Sequence, residues 1–111
     1  MKKFLVASFL ILLGCMAFAA QIYVGHYVDD AGDTIQAAIS PYDGNLYAIV
    51  NNNYNIIFYN QTMVSTGIYW ENTSFGNLIF STDMMWLQVT EYQSGKIIIF
   101  RYAGTSIEEV D

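Results

Sequence analysis

Cysteine, histidine, proline and positive charge are all scarce in this 111-residue chain, and each scarcity removes a class of chemistry. Cys15 is the one cysteine, so no disulfide can form within the chain, whereas small secreted eukaryotic domains commonly rely on several. His26 is the one histidine, which excludes a multi-histidine metal site, and a Cys–His pair as well once Cys15 is lost in processing. The longest apolar run, Phe4 to Leu13, is broken only by Ser8 and falls well short of the ~20 residues of a membrane-spanning helix. Four cations, Lys2, Lys3, Lys96 and Arg101, face ten carboxylates. Such a surface repels phosphate backbones, so nucleic acid is not an expected partner.

What is present begins with an export pattern. Lys2 and Lys3, the apolar run, and the small residues of Ala17-Phe18-Ala19 have the order of a secretory signal over residues 1–19. The expected localisation is secreted or periplasmic, in a bacterial envelope. A second route is open, because Leu12-Leu13-Gly14-Cys15 resembles a bacterial lipoprotein box, with Cys15 as the lipidated residue and a lipid anchor as the only membrane attachment. Cleavage after Ala19 leaves residues 20–111 as one small domain. That domain keeps Lys96 and Arg101 against all ten carboxylates, a formal charge of −8.

Without disulfides, a domain of this size must be stabilised by its apolar core. Short β-rich runs alternate with turn signals throughout. Strands are expected at 22–28, 34–40, 46–50, 55–59, 66–71, 77–81, 86–92 and 96–102, with 106–111 either a last short strand or frayed. Ile35, Ala37 and Ile39 alternate with Thr34, Gln36, Ala38 and Ser40, which places the two sets on opposite faces of one strand. No segment carries a capped apolar stripe of helical period. The expected fold is therefore all-β, an antiparallel meander of about eight strands. It forms either two four-stranded blade-like repeats or a single small closed barrel.

An internal echo bears on that choice. Ile39-Ser40, Leu46, Ala48, Ile56-Ile57 and Tyr59 recur 41 residues later as Phe80-Ser81, Leu87, Val89, Ile97-Ile98 and Phe100. Gly25-His26-Tyr27 recurs as Gly67-Ile68-Tyr69. A period near 40 is that of a propeller blade.

Phe80-Ser81-Thr82-Asp83, Trp86 to Thr90 and Ser94 to Phe100 resemble the blade pattern of YVTN-type β-propellers, and Ser40 to Tyr47 is a second partial match. Met84 stands where that pattern has a turn glycine, and Arg101 and Asn60 stand where it closes a strand with Asp. Propellers need four or more blades, so the resemblance implies a ring completed by several chains, a homo-oligomer, as in some two-blade sugar-binding lectins. Gly25-x-Tyr27 and Gly67-x-Tyr69-Trp70 are in turn similar to the Gly-x-Trp pattern at the start of lipocalin and avidin barrels, which implies a single closed barrel with an internal ligand cavity.

No catalytic constellation is visible. No Ser lies in a Gly-x-Ser-x-Gly turn. Asp29, Asp30 and Asp33 crowd one turn, but Ala31 interrupts the alternation of oxygen ligands that a calcium loop requires. No cofactor or metal is expected. The aromatic residues are the best candidates for a site. Adjacent Tyr69 and Trp70 must lie on opposite faces of one strand, and with Glu71 and Trp86 they form the candidate ligand-binding set. The expected function is a non-enzymatic binding protein, with carbohydrate or a partner protein as ligand. The alternatives are a lipocalin-like carrier of a small apolar ligand and a small inhibitor of secreted enzymes.

Overall fold

A computed structural model describes residues 20–110. The expected signal segment 1–19 and the candidate lipidation site Cys15 lie outside the described residues. Eight strands follow one another as β1 (Ala20–Val28), β2 (Thr34–Ile39), β3 (Leu46–Val50), β4 (Tyr54–Val64), β5 (Gly67–Asn72), β6 (Gly76–Ser81), β7 (Trp86–Glu91) and β8 (Ile97–Val110). Each pairs antiparallel with the next, and β8 pairs with β1 to close one barrel. The chain is all-β, and of the two meander architectures it takes the single closed barrel. Closure leaves no sheet with two open edges, the usual hazard of a small β-domain.

Turn chemistry sets the strand ends. The Asp29 carboxylate accepts the backbone N–H groups of Ala31 and Asp33 at 3.0 and 2.8 Å, and this ties the β1–β2 turn. Asp30 of the same turn pairs with Arg101 on β8. Asn72 does the same for the β5–β6 turn, accepting from Ser74 and Phe75 at 2.9 and 2.8 Å.

The alternating residues Ile35, Ala37, Leu46, Ala48, Ile56, Phe58, Leu78, Leu87, Val89 and Phe100 fill the interior. A barrel of eight strands has just enough lumen for side chains or for one small ligand. Phe75, from the β5–β6 turn, packs edge-on against Phe58 at 5.9 Å and plugs one end.

A second apolar cluster lies outside the barrel wall. It joins Ile22 and Val24 of β1 to Ala38, Tyr47 and Ile49 on the outward face of β2 and β3. β1 pairs with β2 only from Gly25 to Val28, while its pairing with β8 runs its full length. The first half of β1 and the last half of β8 therefore form a two-stranded ribbon that turns across the outside of β2 and β3. The register slips between His26 and Tyr27, where Ala103 is the extra residue of β8, and such bulges bend the strand that carries them. Gln36, Ala38 and Ser40, on the face opposite Ile35 and Ala37, are buried as well: Ala38 packs in this outer cluster, Gln36 donates its side-chain amide to Asn52 at 2.8 Å, and the Ser40 hydroxyl accepts the Tyr42 N–H at 3.1 Å.

The echo falls on equivalent strands. Leu46 and Leu87, and Ala48 and Val89, all face inward at a spacing of 41. In the last strands the inward pairs are Ile56 with Ile98 and Phe58 with Phe100, so the repeat slips by one residue there.

Candidate functional site

The barrel end opposite the Phe75 plug stays open. It is framed by the β2–β3, β4–β5 and β6–β7 turns and by the bend where the ribbon leaves the wall. An open cavity of about 670 Å³ spans this mouth and the flanking ribbon, where Gln21, Ile22, Tyr23 and the outer-face Ala38 also line it. Inward side chains of five strands form its walls: Tyr27, Ala37, Leu46, Ile68, Trp70 and Phe80. Ile39, Pro41, Met84 and Met85 ring the rim. No Lys or Arg is among the lining residues.

Tyr27 organises this mouth. Its ring meets Phe80 and Tyr102 edge-on at 5.6 and 5.8 Å, and its hydroxyl donates to the carbonyl of Met84 at 2.8 Å. Burial, with Tyr102 and the Asp83 charge nearby, pushes the phenol up to about 12. Gly25 is two residues away on the same face. A Cβ there would sit 3.1 Å from the Tyr27 ring, so the missing side chain leaves space at the cavity wall. The β6–β7 turn is held from the other side by Asp83. Its carboxylate accepts from the Ser81 hydroxyl at 2.6 Å and from the Met85 N–H at 3.0 Å, and these bonds hold it below the usual carboxylate range.

The four sequence-predicted site residues do not form one surface. Trp70 points inward and is 2% exposed, as part of the cavity wall. Tyr69 and Glu71 lie together on the outer face of β5, the tyrosine hydroxyl 3.4 Å from a carboxylate oxygen. Asn60 donates to the other oxygen of Glu71 at 2.8 Å. Partial burial, then a hydrogen bond with Tyr92 and the charge of Glu71, raise the Tyr69 phenol. Trp86 is also outward and about half exposed, but it stands on β7 with β6 between it and β5.

Sequence reading missed the cavity as a group, although its members were visible singly. Inward alternation marks Ala37 and Leu46, but only closure of the barrel brings them opposite Trp70 and Phe80.

His26 lies on the ribbon, its Nε2 2.8 Å from the Ser106 hydroxyl, and that hydroxyl donates to Glu108 at 3.3 Å. In a hydrolytic triad the imidazole is the middle member and takes the proton of the hydroxyl. Here the hydroxyl is in the middle. It lies between the ring nitrogen and the Glu108 carboxylate, so the order of groups is not that of the triad. Among the described residues no group of three or more His, Cys, Asp or Glu side chains is placed to hold a metal ion.

Comparison with protein-family models, with curated proteins and with solved structures returns no match to this chain.

Proposed function

We propose that this is an exported, non-enzymatic binding protein that holds a small, uncharged, largely apolar ligand in the mouth of its barrel, in the manner of a lipocalin-like carrier. The cavity carries the reading. Its volume of about 670 Å³ falls within the roughly 300–1,000 Å³ of small-molecule sites, which are concave and mostly apolar with a few polar groups. Trp70, Phe80 and Tyr27, each only 2–3% exposed, form a packed apolar floor, Ile39, Met84 and Met85 present the exposed apolar surface of the rim, and the backbone and carboxylate of the Asp83–Met85 turn supply polarity there. With an acid and no cation at its mouth, the site disfavours ligands with a carboxylate or phosphate. The pattern of residues 1–19 supports action outside the cytoplasm, free or anchored through Cys15.

Titration with the neutral apolar dye N-phenyl-1-naphthylamine tests this. The expected result is a saturable rise in fluorescence at one dye per barrel, weakened by Ala37→Phe, which fills the cavity, and by Met85→Glu, which charges an exposed rim position without touching the core. Absence of saturable binding to the folded protein, or binding indifferent to Met85→Glu and to Ala37→Phe in a folded variant, overturns the reading.

A further inference from the structure

The seam between β4 and β5 holds a second cleft. β4 pairs with β3 from Tyr54 to Phe58, but it pairs with β5 only from Tyr59 onward. The first half of β4 therefore has an edge with no partner strand among the described residues. One group on that edge is satisfied, since Asn72 donates its side-chain amide to the Ile57 carbonyl at 2.9 Å. The Ile57 carbonyl is thus turned away from β3, and in an antiparallel ladder the N–H and C=O of Asn55, two residues earlier, point the same way. They face a cleft of about 710 Å³ bounded by Tyr54, Tyr59, Phe75, Asn72 and the β7–β8 turn at Gln93.

We infer that this cleft is a binding site for a neutral saccharide of one or two rings. Its lining pairs flat apolar surface with fixed hydrogen-bonding groups, the combination that a sugar ring presents in reverse. Tyr54 and Tyr59 are 57% and 42% exposed, so ring faces are accessible for stacking on C–H surfaces. The Asn55 backbone and the amides of Asn55 and Gln93 offer donors and acceptors in a small space. The Glu91 carboxylate, which accepts from the Ser94 hydroxyl at 2.8 Å, adds an acceptor and disfavours anionic sugars. An added peptide strand fits less well. Asn72 already occupies the Ile57 carbonyl, which leaves only the outward groups of Asn55 and the N–H of Ile57 for a main-chain ladder.

The test is amide shift mapping on the folded, ¹⁵N-labelled protein with a panel of neutral mono- and disaccharides, glucuronic acid as the anionic control, and an extended Val/Thr heptapeptide. At least one neutral sugar should shift the Asn55, Ile57 and Gln93 amides saturably at or below about 10 mM, beyond the weak end of specific affinity. The mouth residues Ile68 and Phe80 should not move, so this result is independent of dye binding there. Tyr59→Ala, an exposed substitution, should weaken that sugar by about tenfold or more. No shift at these amides from any sugar, equal binding of glucuronic acid, indifference to Tyr59→Ala, or shifts from the peptide alone would each overturn the inference.

Discussion

The Tyr27 hydroxyl donates a hydrogen bond to the carbonyl of Met84, and Met84 holds a backbone φ of +64°. A buried phenol of the barrel wall thereby clamps a turn residue in the left-handed region that glycine prefers. Met84 occupies the place at which the blade pattern it resembles carries glycine. Methionine at this position places a larger side chain at the cavity rim than glycine would.

That conformation is costly for methionine. The left-handed region penalises a non-glycine residue by about 1–2 kcal/mol, and glycine's extra freedom in the unfolded chain offsets about 0.5–1 kcal/mol of any relief. Met84→Gly is therefore expected to raise the unfolding free energy by about 0.5–1 kcal/mol in urea melts, while reducing dye affinity at the mouth. A loss of stability would show that packing of the methionine outweighs its strain.

Alkaline titration reads the same contact. The Tyr27 phenol is pushed from 10.0 up to about 12, chiefly by burial. Between those values the unfolded chain releases a proton that the native chain keeps. The stabilisation is complete below pH 10 and is lost as pH rises through 12. The loss is on the order of 2–3 kcal/mol. Tyr47 and Tyr69 are also raised and add to the slope with the same sign. Tyr27→Phe should flatten the fall in stability across this window without abolishing it, measured by chemical denaturation at fixed pH values.

How much of this was legible in the sequence depended on how local the cause was. Strands β3, β6 and β7 sit within a residue of their expected bounds, because each lies between turn residues that set its ends. The opposite facing of Tyr69 and Trp70 follows from alternation alone. β4 ran further than expected because Asn60, at φ +57°, breaks the alternation with a bulge but does not end the strand. β8 continued through Gly104 for the same reason, with the bulge at Ala103 bending it into the ribbon. Burial of Ala38 on the outer face could not be read locally, since it depends on a ribbon contributed by the two ends of the domain. The cavity likewise exists only after closure.

Gly67 and Gly76 open β5 and β6 with φ values of +153° and +152°. A Cβ on either would lie 1.8 Å from a neighbouring carbonyl oxygen, that of Phe80 or Thr90. The obstruction is backbone on a paired strand and has no rotamer by which to move away. Gly67→Ala and Gly76→Ala are each expected to cost about 3 kcal/mol or more, seen as a large drop in thermal midpoint. A near-neutral result for either would mean that the strand start at that position differs from the one described.

The ribbon makes an asymmetric prediction. Val24 and Tyr23 are neighbours on β1, yet Val24 is wholly buried against the outer face of β2 and β3, while Tyr23 is 69% exposed. A ribbon that merely projected into solvent would make Val24 the replaceable residue and the large ring the important one. Packed as it is, the order reverses. Val24→Ala should cost about 2 kcal/mol, since it removes two buried methyl groups where the neighbours cannot fully close in. Tyr23→Ala should change stability by only about 0.5 kcal/mol or less, as at other exposed positions. Starting the chain at Gly25 removes the β1 half of the ribbon with Ile22 and Val24, which pack on this face. This should uncover Ala38, Tyr47 and Ile49 together, an apolar patch on the barrel wall that would bind apolar dye beyond one equivalent and promote association. Equal tolerance of Val24→Ala and Tyr23→Ala, with a truncated chain that stays stable and monomeric, would mean that the barrel does not need its outer layer.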